Sequence, residues 1–291
     1  MSRLTVAGIC PRMALADPRT NLRRLEDWAQ RAARAGAGLA LFPEVYITGY
    51  MGDAMDGWPE PRHRAFMALA ETVPGPTTDR LAEVARRLEI AICAGLLERD
   101  GATHYNAQVM VVPDGGCVGH YRKVQVGRRE EWFSVPGDQF PVFDVSGIPT
   151  GIMICRDKSY PEIARILALE GAELLLNPHS TTESPQTPFT DWSLRLCIAR
   201  AMENGCYLVA NNSIFDHPIP ADRQAGQAFA IDPWGRVVAV TDGPADRESM
   251  IVFDVDRDVI RERRDFEGEH FNLNSRIPSA YGRLIRPDEE E

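Results

Sequence analysis

Two stretches of this chain repeat one pattern, and the repeat limits the folds that the chain can adopt. Gly36-Ala-Gly-Leu-Ala-Leu-Phe-Pro43 and Gly171-Ala-Glu-Leu-Leu-Leu-Asn-Pro178 each place an apolar strand after a helical segment and follow it with a proline. Proline lacks the N–H that a sheet interior needs, so the first of these strands is expected to stop at Pro43. Two layered halves of this kind pack sheet to sheet. The repeat predicts an α/β fold, a four-layer αββα sandwich with two sheets face to face and helices outside.

Hydrophobic periodicity predicts the elements of both halves. The first half is expected to contain the strand Leu4–Cys10, helix Asn21–Ala35, strand Gly38–Phe42, helix Thr77–Leu88, strand Ile90–Gly95 and a hairpin over Tyr105–Val124. After the segment Gly127–Pro141, the second half is expected to contain the strand Ile148–Ile154, helix Pro161–Glu170, strand Glu173–Leu176, helix Trp192–Asn204 and strand Tyr207–Asn211.

Three further strands complete the predicted sheets, at Ala225–Ile231, Val237–Val240 and Met250–Val255, with a turn at Asp232–Gly235. Residues 1–256 are therefore expected to form a single domain. The remaining residues, 257–291, are too polar to have a core of their own. We expect this C-terminal extension to pack on the domain or on a partner subunit.

Composition favours a compact enzyme with a small-molecule substrate. The chain has 291 residues, 44% of them hydrophobic, which is enough for a sizeable core. Its formal net charge of −10 argues against a nucleic-acid partner, because phosphates require a concentrated basic face. No run of about 18 apolar residues indicates a membrane span. The N-terminal residues resemble a strand rather than a signal peptide, so we expect a cytoplasmic protein without a membrane partner.

The cysteines and histidines show no scaffold or metal spacing. The six cysteines form no Cys-x-x-Cys pair, and the six histidines form no ligand pair at helical spacing. Gly36-Ala-Gly38 is an isolated Gly-x-Gly, which we interpret as loop geometry, and neither a Walker loop nor a Gly-x-Ser-x-Gly elbow is present. We therefore expect no disulfide scaffold, no metal and no cofactor.

Cys155 is the first candidate for chemistry. It follows the apolar run Ile152–Ile154 and precedes the helix that begins near Pro161. A thiol at the end of a strand is held rigidly, and the free N–H groups of the following turn favour an anion. A buried structural cysteine is the alternative interpretation, because cysteine is among the most buried residue types.

Two other segments favour the catalytic interpretation. Leu39-Ala-Leu-Phe-Pro-Glu44 delivers a carboxylate to the end of an apolar strand, and Lys123 lies in an alternating strand after the turn Pro113-Asp-Gly-Gly116. Each residue alone is more often a solvated charge. Together a carboxylate, an ammonium and a thiol are the groups needed for nucleophilic acyl transfer without histidine.

These motifs resemble those of the nitrilase superfamily of carbon-nitrogen hydrolases, over nearly the whole chain. The resemblance is carried by Phe42-Pro43-Glu44 with Thr48-Gly49-Tyr50, by Tyr121-Arg122-Lys123, and by Ile154-Cys155-Arg156-Asp157 with Tyr160-Pro161-Glu162. It implies that Glu44 is the general base, that Lys123 stabilises the tetrahedral intermediate and that Cys155 is the nucleophile. It also implies a second glutamate after the lysine strand, for which Glu131 fits best and the adjacent Glu130 is the alternative. The same resemblance implies a homodimer or a higher homo-oligomer.

The residues around Cys155 bear on the substrate. By the same resemblance, Asp157 favours an amide or N-carbamoyl bond over a nitrile, and the basic residues Arg156 and Lys158 are candidates to bind a substrate carboxylate. Lys158 is the better positional match, although an exposed charge that caps the next helix would look the same. A nitrilase and a non-hydrolytic acyl-transfer or binding relative remain alternative functions.

Three further residues are candidates to line the substrate pocket: Tyr50, Trp132 and His179. His179 stands where small residues are frequent in the resembling family, and Asn211-Asn212 stands where Asn-Arg is often found. Packing of an aromatic side chain explains such positions equally well.

Overall fold

The computed structural model describes residues 3–50, 60–127, 130–182, 188–215 and 224–285. In this part of the chain the first sheet contains β1 (Arg3–Cys10), β2 (Leu39–Leu41), β3 (Ala91–Asp100), β4 (Thr103–Val112), β5 (Gly116–Arg122) and β12 (Ser249–Asp256). The second contains β6 (Val142–Val145), β7 (Ile148–Ile152), β8 (Leu174–His179), β9 (Tyr207–Asn212), β10 (Ala228–Ile231) and β11 (Val237–Val240). The helices are α1 (Pro18–Arg34), α2 (Glu60–Met67), α3 (Pro76–Leu88), α4 (Pro161–Leu169), α5 (Leu194–Asn204) and α6 (Arg257–Glu267).

The two six-stranded sheets share one plan. The first has the order β12-β1-β2-β3-β4-β5 and the second β11-β10-β9-β8-β7-β6. In each sheet three parallel strands lie in the middle, β1-β2-β3 and β7-β8-β9, and antiparallel strands flank them. The repeat seen in the sequence is therefore a repeat of the parallel centre.

Side-chain alternation explains the four layers. Leu39 and Leu41 of β2 contribute to the apolar layer between the sheets, while Ala40 between them faces the layer under α1 and α3. The leucines of β8 alternate in the same way between the middle layer and the layer under α4 and α5. Because neighbouring residues of a strand point to opposite faces, each central strand is apolar on both sides. The predicted αββα sandwich is confirmed.

Several element boundaries differ from the prediction. Helix α1 begins at Pro18 rather than Asn21, because the Asp17 carboxylate accepts a hydrogen bond from the Thr20 N–H and Pro18 occupies the first turn. Two short elements, α2 and β6, were not predicted from periodicity. The strand expected over Ala225–Ile231 begins only at Ala228.

Strand β8 contains Pro178 and is longer at its end than the predicted strand Glu173–Leu176. Strand β8 continues to His179, paired with β9 at Asn177, Pro178 and His179. The register with β7 ends at Leu176, so beyond that residue β8 has a strand neighbour on one side only. A proline is tolerated there because it removes no hydrogen bond from an interior strand.

The C-terminal extension lies partly on the domain. Ile260 of α6 and Phe271 are buried, and the Arg264 guanidinium donates to the Ala172 carbonyl at 3.0 Å. Residues 286–291, the acidic end of the extension, lie outside the described residues. Within the described ranges no helix is both long enough and apolar enough to cross a membrane.

Asn211, near the carboxyl end of β9, connects the two sheets by hydrogen bonds. Its side-chain amide on β9 donates to the carbonyls of Ile9 at 2.7 Å and Leu41 at 3.0 Å, which belong to the opposite sheet. Buried carbonyls without a donor would cost free energy, so this amide stabilises the separation of the sheets at that end of β9. The same end of the sheets carries the residues of the candidate site.

Gly95 on β3 leaves room for the loop that follows β2. A Cβ atom at this position would lie 2.7 Å from the Gln108 Oε1 and 2.8 Å from the Pro43 carbonyl oxygen. We predict that Gly95→Ala lowers the free energy of unfolding by about 2 kcal/mol, the usual cost of overpacking. Urea unfolding measures this, with Gly282→Ala as the control because a Cβ there meets nothing within 4 Å. Equal stability of the two variants would contradict the prediction.

Candidate functional site

The loops after β2 and β8 meet between the two sheets, and they hold Glu44. The Glu44 N–H donates to the His179 carbonyl at 3.3 Å, and the Ser180 N–H donates to Glu44 Oε2 at 2.8 Å. Glu44 is fully buried. Its carboxylate is thus fixed from both sheets, at the end of β2 as the sequence predicted.

The Lys123 ammonium lies between two carboxylates. Its Nζ is 2.6 Å from Glu44 Oε1 and 2.7 Å from both carboxylate oxygens of Glu130. Lys123 follows β5 directly instead of lying inside the strand, and its N–H still donates to the Asn106 carbonyl at 2.9 Å. The Asn106 amide also bridges the two carboxylates, at 2.7 Å to Glu44 and 2.9 Å to Glu130.

Glu130, and not Glu131, is the second glutamate of the site, which corrects the prediction. Both residues lie in the short 3₁₀ helix Glu130–Trp132, where consecutive side chains point in different directions. Glu130 is buried against Lys123 and also accepts from the Gly127 N–H at 2.6 Å, whereas Glu131 is exposed. The alternation of a strand does not continue into such a turn. The spacing in the sequence therefore did not show which of the two glutamates faces Lys123.

The two glutamates beside Lys123 differ in pKa. Burial raises the pKa of Glu44 to about 7, and the charge of Lys123 offsets that effect only in part. Burial acts on Glu130 in the same direction, but Lys123 and the Gly127 N–H outweigh it and hold the pKa of Glu130 below its usual value. The pKa of Lys123 stays well above its usual value, because Glu130 and Glu44 outweigh its burial. Glu44 is therefore the carboxylate that can exchange a proton near neutral pH.

Cys155 occupies a left-handed turn after β7. Its φ is +47°, and it is the first residue of the 3₁₀ helix Cys155–Ser159. A non-glycine residue rarely adopts this conformation, which costs roughly 1–2 kcal/mol. The cysteine is thus turned out of the direction of the strand, with the first N–H groups of the 3₁₀ helix next to it.

Asp157 holds this turn in place. Its buried carboxylate accepts from the Ile154 N–H at 2.8 Å, from the Gln125 N–H at 2.8 Å and from the Tyr121 hydroxyl at 2.7 Å. The first bond closes the turn around Cys155, and the other two connect it to the segment that carries Lys123. In this structure Asp157 fixes the relative position of Cys155 and Lys123.

The Cys155 thiol is protonated at neutral pH. The surrounding protein desolvates it and raises its pKa to about 11; the charge of Glu44 also raises the pKa, while Lys123 and Lys158 lower it. Its Sγ lies 3.3 Å from the Thr181 hydroxyl oxygen. The sulfur therefore has a polar neighbour on the loop after β8.

The two basic residues after Cys155 lie in different environments. Arg156 is exposed, and its guanidinium lies 3.3 Å from the Tyr160 hydroxyl. Lys158 is only 6% exposed, so it is not a solvated charge at a helix end. Its Nζ donates to the Cys155 carbonyl at 3.3 Å, and within the described ranges it forms no ion pair.

The three candidates for the pocket wall, Tyr50, His179 and Trp132, differ in burial. Tyr50 is half-buried, with its ring edge-on to Phe133, and burial together with the charges of Glu130 and Glu44 raises its pKa. His179 is fully buried beside the loop that carries Thr181. Trp132 is 62% exposed, which is inconsistent with the expected pocket wall, because the short helix that buries Glu130 directs Trp132 outward.

Other residues of the site were missed in the sequence. Asn106 is a polar residue buried in β4, next to apolar residues of the same strand, and that pattern was a usable signal. Thr181 and Asn177 had no comparable signal, because they depend on the path of β8 beyond Leu176. Among the described residues no group of three or more His, Cys, Asp or Glu side chains is arranged to hold a metal ion.

Comparison with known proteins agrees with this geometry. The family model for carbon-nitrogen hydrolase matches residues 3–265. A nitrilase of Pyrococcus abyssi is 32% identical over 252 residues, which cover 86% of this chain and 88% of that protein. An N-carbamoylputrescine amidase of Solanum lycopersicum is 30% identical over 288 residues, with coverage of 94% and 92%. The crystal structure of a carbon-nitrogen hydrolase from Helicobacter pylori G27 has the same fold, with a TM-score of 0.85 at 21% identity and coverage of 98% and 99%.

Adjacent glutamates provide a matched pair of variants. We predict that Glu130→Gln lowers the free energy of unfolding by about 2 kcal/mol, because the amide removes the negative charge beside the buried Lys123 ammonium and replaces one acceptor oxygen by an NH₂ group that only donates. Glu131→Gln is expected to change it by less than about 0.5 kcal/mol, as is usual at an exposed position. Urea unfolding at pH 7 measures both. A larger loss in the Glu131 variant would reverse the assignment.

Proposed function

Because the chain belongs to the carbon-nitrogen hydrolase family, we propose that it is a thiol hydrolase acting on a non-peptide C–N bond. The proposed substrate is a small amide or an N-carbamoyl compound, and Cys155 forms a thioester with its acyl or carbamoyl group. The observation that carries the proposal is the Lys123 ammonium, held at 2.6–2.7 Å between Glu44 and Glu130 and linked through Asp157 to the Cys155 turn.

In the first step Glu44 accepts the Cys155 proton while the sulfur attacks the substrate carbonyl carbon. A C–S bond forms, and the carbonyl oxygen takes the negative charge. Lys123 and the N–H of Arg156 are the proposed donors to this oxygen, each worth roughly 3 kcal/mol in comparable sites. The thiol pKa of about 11 lies well above the Glu44 pKa of about 7. The proton therefore leaves the sulfur only as the C–S bond forms.

Collapse of this tetrahedral species breaks the C–N bond. Glu44 returns its proton to the nitrogen, and ammonia or an amine leaves. A water molecule then gives a proton to Glu44 and attacks the thioester carbon, and the departing sulfur recovers a proton from Glu44. The cycle consumes one water and releases the acid. Glu130 remains ionised throughout and keeps Lys123 charged.

The relatives' names are consistent with this reaction class. One relative is named as an amidase of an N-carbamoyl amine and another as a nitrilase. Asp157 after the nucleophile led us to favour amide-type bonds over nitriles. Ammonia release from a panel of amides, ureido acids and nitriles of matched size separates the two, since a nitrilase would release ammonia from the nitriles.

The nucleophile is tested by Cys155→Ala. We predict a loss of more than about a thousandfold in kcat with the fold intact, because alanine keeps the Cβ at this turn and removes only the sulfur. The wild type incubated with substrate should gain the mass of an acyl group, as measured on the intact protein. Cys117→Ala, which removes another partly accessible thiol, is the control and should retain full activity. Turnover by the Cys155 variant above that limit would refute the assignment.

Lys158 is the proposed ligand of a substrate carboxylate. It is a buried cation whose Nζ donates to the Cys155 carbonyl, and a buried cation is stabilised strongly by an anion. A carboxylate placed a few atoms from the scissile carbon would supply that anion through charge-assisted hydrogen bonds. A ureido acid or amide acid is therefore the favoured substrate class.

A matched pair of variants tests this preference. We predict that Lys158→Met raises KM for an amide acid about tenfold, the loss expected from one charge-assisted hydrogen bond. For a neutral amide of the same size the variant should change KM little. Arg156→Met, which removes the neighbouring exposed charge, is the control and should leave both KM values unchanged. Equal effects of Lys158→Met on acidic and neutral amides would eliminate the carboxylate preference.

A further inference from the structure

A chain of hydrogen bonds runs from the proposed nucleophile into the second sheet. Cys155 Sγ lies 3.3 Å from Thr181 Oγ1, and Thr181 Oγ1 lies 3.1 Å from His179 Nδ1. His179 Nε2 lies 2.7 Å from Asn177 Oδ1. Neither the Glu44 carboxylate nor the Lys123 ammonium takes part in this chain, which approaches the sulfur from the loop after β8.

The direction of every bond in the chain follows from Asn177. Its amide nitrogen donates to the Met153 carbonyl at 2.7 Å, which fixes the orientation of the amide because a carbonyl oxygen only accepts. Asn177 Oδ1 must therefore accept from His179, so the histidine carries its proton on Nε2. In the neutral ring Nδ1 is then an acceptor.

His179 is neutral in this environment. Burial lowers the pKa of His179 well below its usual value, and the positive charges of Lys158 and Lys123 act in the same direction. Since Nδ1 accepts, the Thr181 hydroxyl donates its hydrogen to the histidine. Thr181 Oγ1 consequently presents lone pairs to Cys155.

The Thr181 backbone is also fixed. Its N–H donates to Asn212 Oδ1 at 2.9 Å, and its carbonyl accepts from Asn212 Nδ2 at 2.9 Å. The hydroxyl is therefore held from two sides, by Asn212 through the backbone and by His179 through the hydrogen bond. The loop presents an immobile acceptor to the sulfur.

We propose that Thr181 Oγ1, oriented by His179, accepts a hydrogen bond from the Cys155 S–H group and keeps the nucleophile protonated and aimed until substrate binds. Lone pairs on Thr181 Oγ1 stabilise the thiol and repel the thiolate. Thr181 touches the reacting atom, whereas His179 and Asn177 act through it as positioning residues. The inference rests on the proposed role of Cys155 as nucleophile and adds a group that sets when the nucleophile ionises.

The sulfur has charged neighbours on other elements, and these set the background for any titration. Glu44 and Glu130 favour the thiol, while Lys123 and Lys158 favour the thiolate. Tyr50 and Cys197 also face it and are neutral near pH 7. Variants at Thr181 and His179 replace none of these six side chains. A change in the apparent pKa of Cys155 is therefore assigned to the hydrogen-bond chain.

Alkylation of the free enzyme by iodoacetamide tests the proposal without any substrate. The rate at Cys155 is followed by peptide mass spectrometry across pH, with Cys117 in the same sample as the internal reference. We expect Thr181→Val to lower the apparent pKa of Cys155 by about half a pH unit, because it removes an acceptor of a weak S–H donor. Thr181→Ser keeps the hydroxyl and should retain the wild-type profile, and Thr182→Val is the control for the loop.

His179→Phe provides a second, independent arm. It removes the Nδ1 acceptor, so the Thr181 hydroxyl becomes free to donate to the thiolate, and the apparent pKa of Cys155 should fall by about one unit. The double variant should return to the value of Thr181→Val, since the effect of His179 passes through the hydroxyl. If His179→Phe does not fold, the Thr181→Val and Thr181→Ser pair decides alone.

The outcomes are distinct. An unchanged or raised pKa in Thr181→Val, or equal shifts in Thr181→Val and Thr181→Ser, would overturn the proposal. Because alkylation needs no turnover, the expected shifts in a protein that hydrolyses no amide would support the hydrogen-bond chain and reject only the proposed reaction. An active enzyme in which the pKa shifts are absent would support the proposed reaction and reject the hydrogen-bond chain.

Discussion

The burial of the Lys123 ammonium is the constraint on which the candidate site depends. Lys123 is 2% exposed, and an unpaired ammonium so far from water would cost several kcal/mol. Glu44 reaches it from the end of β2 and Glu130 from a 3₁₀ helix after β5, so two separate chain segments must meet at one point. Asn106 bridges both carboxylates. A shift of either segment would break its ion pair with the Lys123 ammonium. The ends of β2 and β5 are held in place for that reason.

The same cluster separates two glutamates into two roles. At Glu130 the charge of Lys123 and a backbone N–H outweigh burial and hold its pKa below the usual value, whereas at Glu44 burial outweighs Lys123 and raises the pKa to about 7. The proposed nucleophile, a thiol that is neutral at rest, needs both a permanent counterion and a group able to exchange protons beside it. The environment, and not the residue type, distinguishes them.

The sequence predicted what depends on periodicity and missed what depends on irregular backbone. The continuous apolar runs of β2 and β8, each after a helical segment, were visible, and they were sufficient for the four-layer sandwich. Glu130 and Glu131 are neighbours in a three-residue turn, where no repeating pattern assigns a face. Lys158 was indistinguishable in sequence from a solvated charge. Its burial follows from the packing of the Cys155 turn against α5, where the Lys158 carbonyl accepts from the Arg200 guanidinium.

Backbone strain is found at both strand ends that carry the candidate site, after β2 and after β7. Val45, directly after Glu44, and Cys155 both adopt left-handed conformations, with φ of +46° and +47°. Such residues persist only where surrounding contacts over-determine the backbone. At Cys155 the contacts come from Asp157, which also binds Tyr121 and the Gln125 N–H on either side of Lys123. The turn cannot relax without displacing the segment that carries the ammonium, so the proposed nucleophile and the group that would stabilise its intermediate form one rigid unit.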